Sequence, residues 1–218
     1  MNDKPTAHTD FHRQRGAGIV YIAIGGVIAV AVWYGINTYA PPVAGMDSLA
    51  ARMLFTLKCY GAAVLFTLVL GIEAVAHERL VTPAFDPLAG FETRRMRVNQ
   101  RYLQNTLEQT VVFGAALFGL AAWQPTDTSM RAVEAATVVW VLSRWGFWIG
   151  YHVSAAGRGL GVGGMALAMF LLVYDVARFG GELYGPAGAW TPVVLFILIE
   201  AFLFWATGRK RPGVEGKG

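Results

Sequence analysis

Charge and cysteine are scarce in this chain. Only 15% of its 218 residues are Asp, Glu, Lys or Arg, against about 25% in an average soluble domain. Hydrophobic residues make up 55%, and mean hydropathy is +0.45, a balance that does not fit a soluble single-domain enzyme. The one cysteine, Cys59, has no intramolecular disulfide partner. No disulfide scaffold is therefore available, and packing must hold the fold. Eighteen Lys and Arg against fourteen Asp and Glu leave a net +4. That excess is too small to imply nucleic-acid binding, and its placement matters more than its size.

Long apolar stretches are abundant. Crossing the hydrocarbon core takes about 20 mainly apolar residues in a helix, because lipid cannot hydrogen-bond an open backbone. Residues 16–46 carry no charge, and the spacing predicts a first span over Gly18–Tyr39, stopped by Pro41 and Pro42. Its length and its aromatic end (Trp33, Tyr34, Tyr39) suit a retained helix rather than the short apolar region of a cleaved signal peptide. Further spans are expected over Leu49–Ala76, Arg101–Trp123 (ended by Pro125), Ala132–Tyr151, Leu160–Phe179 and Trp190–Thr207. The expected fold class is an all-α integral membrane protein of about six transmembrane helices.

Cations set the expected orientation, since short connections rich in Lys and Arg stay cytoplasmic. Lys4, Arg13 and Arg15 precede the first span, and Arg79, Arg94, Arg95, Arg97 and Arg101 follow the second. Arg158 follows the fourth, and Arg209, Lys210, Arg211 and Lys217 follow the sixth. The intervening connections, 40–48, 124–130 and 180–187, hold no Lys or Arg and carry Asp47, Asp127 and Glu182. Both termini are expected in the cytoplasm, and the Ala- and Gly-rich chain points to a bacterial inner membrane.

Ionisable and amide side chains inside membrane helices are costly and by default face a bundle interior, a wet cavity or a partner. Arg101, Asn105 and Glu108 stand at i, i+4 and i+7, on one face of the third helix. Arg144, Phe147 and Tyr151 stand at i, i+3 and i+7 on the fourth, and Arg158 opens the fifth. Two readings stand side by side. The groups either form a basic pocket for an anionic, peptide-like ligand meeting an apolar one, or they satisfy each other between helices, with Glu108 neutralising Arg144 or Arg101 and Asn105 acting as interhelical glue.

The run Arg101-x-x-x-Asn105-x-x-Glu108, followed by Arg144-x-x-x-x-x-Gly150-Tyr151 and then Arg158, resembles the MAPEG family, the membrane-associated proteins in eicosanoid and glutathione metabolism. The resemblance covers about residues 49–179. It implies a four-helix unit that assembles as a homotrimer, with glutathione as co-substrate bound between subunits near the cytosolic face. By that resemblance Arg101, Asn105, Glu108 and Tyr151 hold glutathione, Arg158 is catalytic by stabilising the thiolate, and Arg144 supports the pocket by pairing with Glu108. The chemistry is coherent, because a thiol of pKa about 8.5 is mostly protonated at neutral pH and a guanidinium favours the nucleophilic thiolate. Phe147 and Gln109 depart from the family pattern. The implied activity is a membrane glutathione transferase or peroxidase-like enzyme acting on a lipophilic small-molecule substrate.

This gives three parts: a tail and extra helix (1–48), a MAPEG-like domain (49–179), and an extra helix with a basic tail (180–218). The flanking helices have no role assignable from the resemblance. They motivate an alternative function as a non-catalytic membrane scaffold or accessory subunit, with other membrane proteins as partners alongside lipid. A transporter using Glu73 and Glu200 lacks a broken-helix or repeat pattern. Gly159-x-Gly161-x-x-Gly164 lacks the preceding strand of a nucleotide site and is expected to serve close helix approach. His8 and His12 lack a third ligand, so no metal site is expected.

Overall fold

The computed structural model describes residues 7–124 and 130–208. Of the residues singled out above, Lys4, Pro125, Asp127 and the cations at 209–217 lie outside this range. The helices are α1 (Ala7–Tyr39), α2 (Leu49–Val64), α3 (Leu70–Val81), α4 (Arg94–Trp123), α5 (Arg131–Val153) and α6 (Val162–Gly208). A π turn over Leu65–Val69 joins α2 to α3, and short 3-10 turns cover Pro83–Phe85 and Gly157–Gly161. No strand occurs among the described residues.

Four stretches, His12–Tyr39, Leu49–Val81, Arg94–Trp123 and Gly157–Gly208, are long and apolar enough to cross a membrane. Helix α5, at 23 residues, is also long enough at about 1.5 Å per residue, and it carries Arg131, Glu134 and Arg144 among its apolar residues. It is the inner helix, with Val133, Ala136, Val139, Trp140, Ser143, Arg144 and Phe147 buried. A helix sheathed by protein has less need of an all-round lipid-soluble surface. The chain is an all-helical integral membrane protein.

Contacts divide it into two units, one running to Leu172 and one from Val173. In the first, α4 packs against α2, α3 and α5, and α1 lies along α5 and the Gly157–Gly161 turn. Phe113 of α4 stacks on Trp140 of α5 with ring centroids 4.5 Å apart and planes 8° from parallel. Ala63, Ala116, Leu117, Leu120 and Val133 close the core around them. In the second unit α6 breaks at Tyr184 and Gly185. Gly185 has φ +64°, a left-handed conformation that glycine adopts without steric cost. Pro186 opens the following stretch, where its missing N–H is no loss. Gly180 meets the backbone of Gly188, so the two stretches fold back on each other.

Helix ends reach further than the hydropathy predicted. The first helix begins at Ala7 rather than near Gly18, and α4 begins at Arg94 rather than Arg101. The Thr93 hydroxyl accepts from the Met96 N–H at 3.0 Å, capping a first turn whose Arg94, Arg95 and Arg97 oppose the helix dipole. Buried Glu78 offsets that charge by pairing with Arg95 at 2.9 Å and accepting from the Thr93 hydroxyl at 3.0 Å. The connection expected over 180–187 shrinks to the break at Tyr184–Gly185.

Candidate functional site

One end of the first unit carries a cleft of about 820 Å³, within the range of small-molecule sites. Five segments supply its walls. Helix α4 contributes Arg101, Gln104, Asn105 and Glu108, and α5 contributes Phe147 and Tyr151. The turn after α5 contributes Ala155, Ala156, Arg158 and Gly159, and α6 contributes Val162 and Met165. The fifth is α1, with Gln14, Arg15, Gly18 and Ile22.

Five of the six residues picked from sequence, Arg101, Asn105, Glu108, Tyr151 and Arg158, thus line one cavity. Along α4 they form a polar ladder. Arg101 donates to Gln104 at 3.2 Å, and the Gln104 amide donates to Glu108 at 3.2 Å. Arg158 lies over the Tyr151 ring at 5.8 Å, and Tyr151 meets Phe147 edge-on at 5.8 Å.

Arg144 lies behind this wall, fully buried. It donates to Asn105 Oδ1 at 3.0 Å and stands 4.7 Å from the Phe147 ring centroid and 5.4 Å from that of Trp140. The expected partner was Glu108; the partner found is Asn105, one helical turn earlier, and the Glu108 carboxylate turns to Gln104 instead. Among the described residues Arg144 Nε and Nη2 make no hydrogen bond. The guanidinium is therefore held by one amide and two aromatic faces.

Glycine positions the Arg158 turn. A Cβ on Gly157 would meet the carbonyl of Gly150, and one on Gly150 would meet that of Gly157, so only two glycines let the turn lie against the end of α5. The Gly157 N–H is fixed by the Ser154 hydroxyl at 3.0 Å. The glycine run then alternates its neighbours. Gly161 and Gly164 face Phe147 and Ser143 of α5, while Gly159 and Gly163 face Gly18 and Gly25 of α1. This is the close approach expected of the Gly-x-Gly pattern.

Beside the cleft a second polar cluster ties helix ends together. Asn99 Oδ1 accepts from Trp148 Nε1 at 2.9 Å and from His152 Nε2 at 3.0 Å. Arg94 donates to the carbonyls of His152 at 3.0 Å and Tyr151 at 3.5 Å. His152 follows the crossing part of α5 (132–151). Its pKa is lowered from the ordinary imidazole value, first by burial, then by Arg95 and Arg94, with Glu78 opposing. Among the described residues no three His, Cys, Asp or Glu side chains gather as a metal site.

Sequence reasoning missed the α1 wall and the role of Asn99. The signal for α1 was present as Gly18, Gly25 and Ala29 at seven- and four-residue spacing, a small-residue edge that matches the glycines at 159 and 163.

No curated protein and no solved structure matches the chain. A profile of the MAPEG family matches residues 56–177, from within α2 to within α6. That stretch holds every polar residue contributed to the cleft by α4, α5 and the turn between α5 and α6, and it spans more than half of the sequence. By that match and its all-helical membrane architecture, the chain belongs to the MAPEG family.

Proposed function

We propose that this protein is a membrane-bound glutathione-dependent enzyme of the transferase or peroxidase type. The observation that carries this reading is the convergence of Arg101, Asn105, Glu108, Tyr151 and Arg158 on one cleft. Amides, guanidinium groups and a carboxylate suit a small zwitterionic peptide, while Ile22, Phe147, Val162 and Met165 provide apolar wall for a lipophilic electrophile.

In this reading glutathione is the co-substrate. Arg101, Asn105, Glu108 and Tyr151 hold its peptide and charged ends, and Arg144 positions Asn105 from behind. Arg158 faces the sulfur, where a guanidinium stabilises the thiolate relative to the thiol. The proton leaves to solvent, and the thiolate bonds to the electrophilic centre as that centre's leaving group departs with the bonding pair, or as its π pair shifts to the far atom and is protonated from solvent. Homotrimeric assembly, contact with other membrane subunits, and an inner-membrane location with cytoplasmic termini belong to the same proposal. They are supported by the family match and by the cations Arg13, Arg15, Arg94, Arg95, Arg97, Arg101 and Arg158 flanking the expected cytoplasmic helix ends.

Glutathione binding and turnover by detergent-purified protein test the reading, with Arg158→Ala as the critical variant. Each pKa unit of lost thiolate stabilisation is about a tenfold smaller thiolate fraction at neutral pH. Turnover should therefore fall at least about tenfold, with the unfolding midpoint unchanged. Unaltered turnover removes Arg158 from the chemistry. No glutathione affinity in a folded sample makes the non-catalytic scaffold the better reading.

A further inference from the structure

We infer that Arg15, on the helix that precedes the family-matched region, is a ligand-binding residue of the cleft and takes one of the two carboxylates of glutathione. The inference rests on the glutathione reading above and deepens it.

Arg15 and Gln14 line the same cavity as Arg101, Asn105, Glu108 and Arg158, yet both lie well before residue 56, where the family match begins. Their helix is fixed to the site by backbone-close packing. A Cβ on Gly159 would lie 2.9 Å from the Gly18 carbonyl, one on Gly163 would lie 2.7 Å from the Gly25 carbonyl, and Gly25 itself meets the Leu160 backbone. Gly18 is the first of these contacts and also lines the cleft. Arg15, three residues earlier on a continuous helix, is thereby carried to the cleft wall.

Charge matching gives the ligand group. The cleft presents three guanidinium groups, on Arg15, Arg101 and Arg158, and one carboxylate, on Glu108. Glutathione in its thiolate form presents two carboxylates, one thiolate and one ammonium group. With Arg158 at the sulfur and Glu108 at the ammonium, Arg101 serves one carboxylate, and Arg15 is the remaining guanidinium that this chain brings to the cleft for the other. Among the described residues Arg15 makes no hydrogen bond or ion pair that would commit its guanidinium elsewhere. A guanidinium also offers the paired N–H geometry that a carboxylate accepts. The competing role for an arginine at the end of a membrane helix is contact with anionic lipid headgroups. Arg13, two residues earlier and absent from the cleft lining, serves as its control.

The test is calorimetry on the full-length protein in detergent, comparing wild type, Arg15→Ala, Arg15→Gln and Arg13→Ala. The titrants are glutathione and its two monoamides, each lacking one carboxylate charge. Arg15→Ala and Arg15→Gln should bind glutathione about tenfold or more weakly, with unfolding midpoints near wild type, and Arg13→Ala should bind normally. One monoamide should bind wild type and both Arg15 variants alike, which identifies the carboxylate concerned. Normal glutathione binding by the Arg15 variants, or an equal loss for all three titrants, overturns the inference. If Arg158→Ala or Asn105→Ala weakens binding while the Arg15 variants do not, the glutathione reading stands and this inference falls. No binding by folded wild type overturns both.

Discussion

Gly150 and Gly157 meet backbone to backbone, and that contact delivers Arg158 to the rim of the cleft beside Tyr151. A methyl group at either position would overlap the opposing carbonyl, so the turn would have to move away from α5 and carry Arg158 with it. We expect Gly157→Ala to cost about 1–3 kcal/mol, the usual range for forced overpacking, and to weaken glutathione binding as well. Gly26→Ala provides the contrast, since a Cβ there meets nothing within 4 Å and alanine is the better helix former by about 1 kcal/mol. Unfolding midpoints in detergent check both. Equal responses at the two glycines would show that the Gly150–Gly157 contact does not fix the turn. Arg144 illustrates the same dependence on neighbours. Its charge was evident in the sequence, but its partner was not, because Asn105 and Glu108 are one turn apart and only the rotation of α4 against α5 decides which one the guanidinium meets.

The π turn between α2 and α3 is where two helices of the bundle are pinned to a third element. Trp145 of α5 donates to the Phe66 carbonyl at 2.7 Å, and Tyr102 of α4 donates to the Thr67 carbonyl at 3.0 Å. A π turn departs from the regular α-helical ladder and commonly marks a functional position; here adjacent carbonyls of the turn receive side-chain donors from two other helices. We expect Tyr102→Phe to destabilise by about 0.5–1.5 kcal/mol, the net value of one such bond. Trp145→Phe should lose at least as much, since ring area goes with the N–H. Denaturant titration of each variant in detergent is the check, and a wild-type midpoint for both would leave the turn without this anchoring role. Leu65-Phe66-Thr67-Leu68-Val69 is apolar and unbroken, so nothing in the sequence distinguished it from α-helix. The helix interiors were legible because lipid demands long apolar runs. The extended ends of α1 and α4 were not, because capping and ion pairing, rather than hydropathy, sustain them.

Across the whole molecule, the candidate site was legible where its residues share one helix face and opaque where it depends on packing between distant segments. Arg101, Asn105 and Glu108 declare themselves by spacing within α4. Arg15 does not, because its relation to them arises only when α1 lies along the glycines at 159 and 163. That arrangement also constrains topology. The N-terminal part of α1, the start of α4, the end of α5 and the Arg158 turn all border one cleft, so α1, α2 with α3, α4 and α5 alternate in direction. Exposed positions on either side test the proposed orientation. Arg13 and Leu88 belong to the cation-rich side, and Asp47 lies in the connection between α1 and α2 on the other. In a Cys59→Ser background expressed in a bacterial inner membrane, cysteines placed at Arg13 and Leu88 should react with a membrane-impermeant maleimide in inverted vesicles and stay unlabelled in intact spheroplasts. A cysteine at Asp47 should show the reverse. Labelling of Arg13 and Asp47 from the same face would break the alternation itself. A full reversal would keep the alternation and turn the cleft away from the cytoplasm, and the positive-inside argument would then fail for this chain.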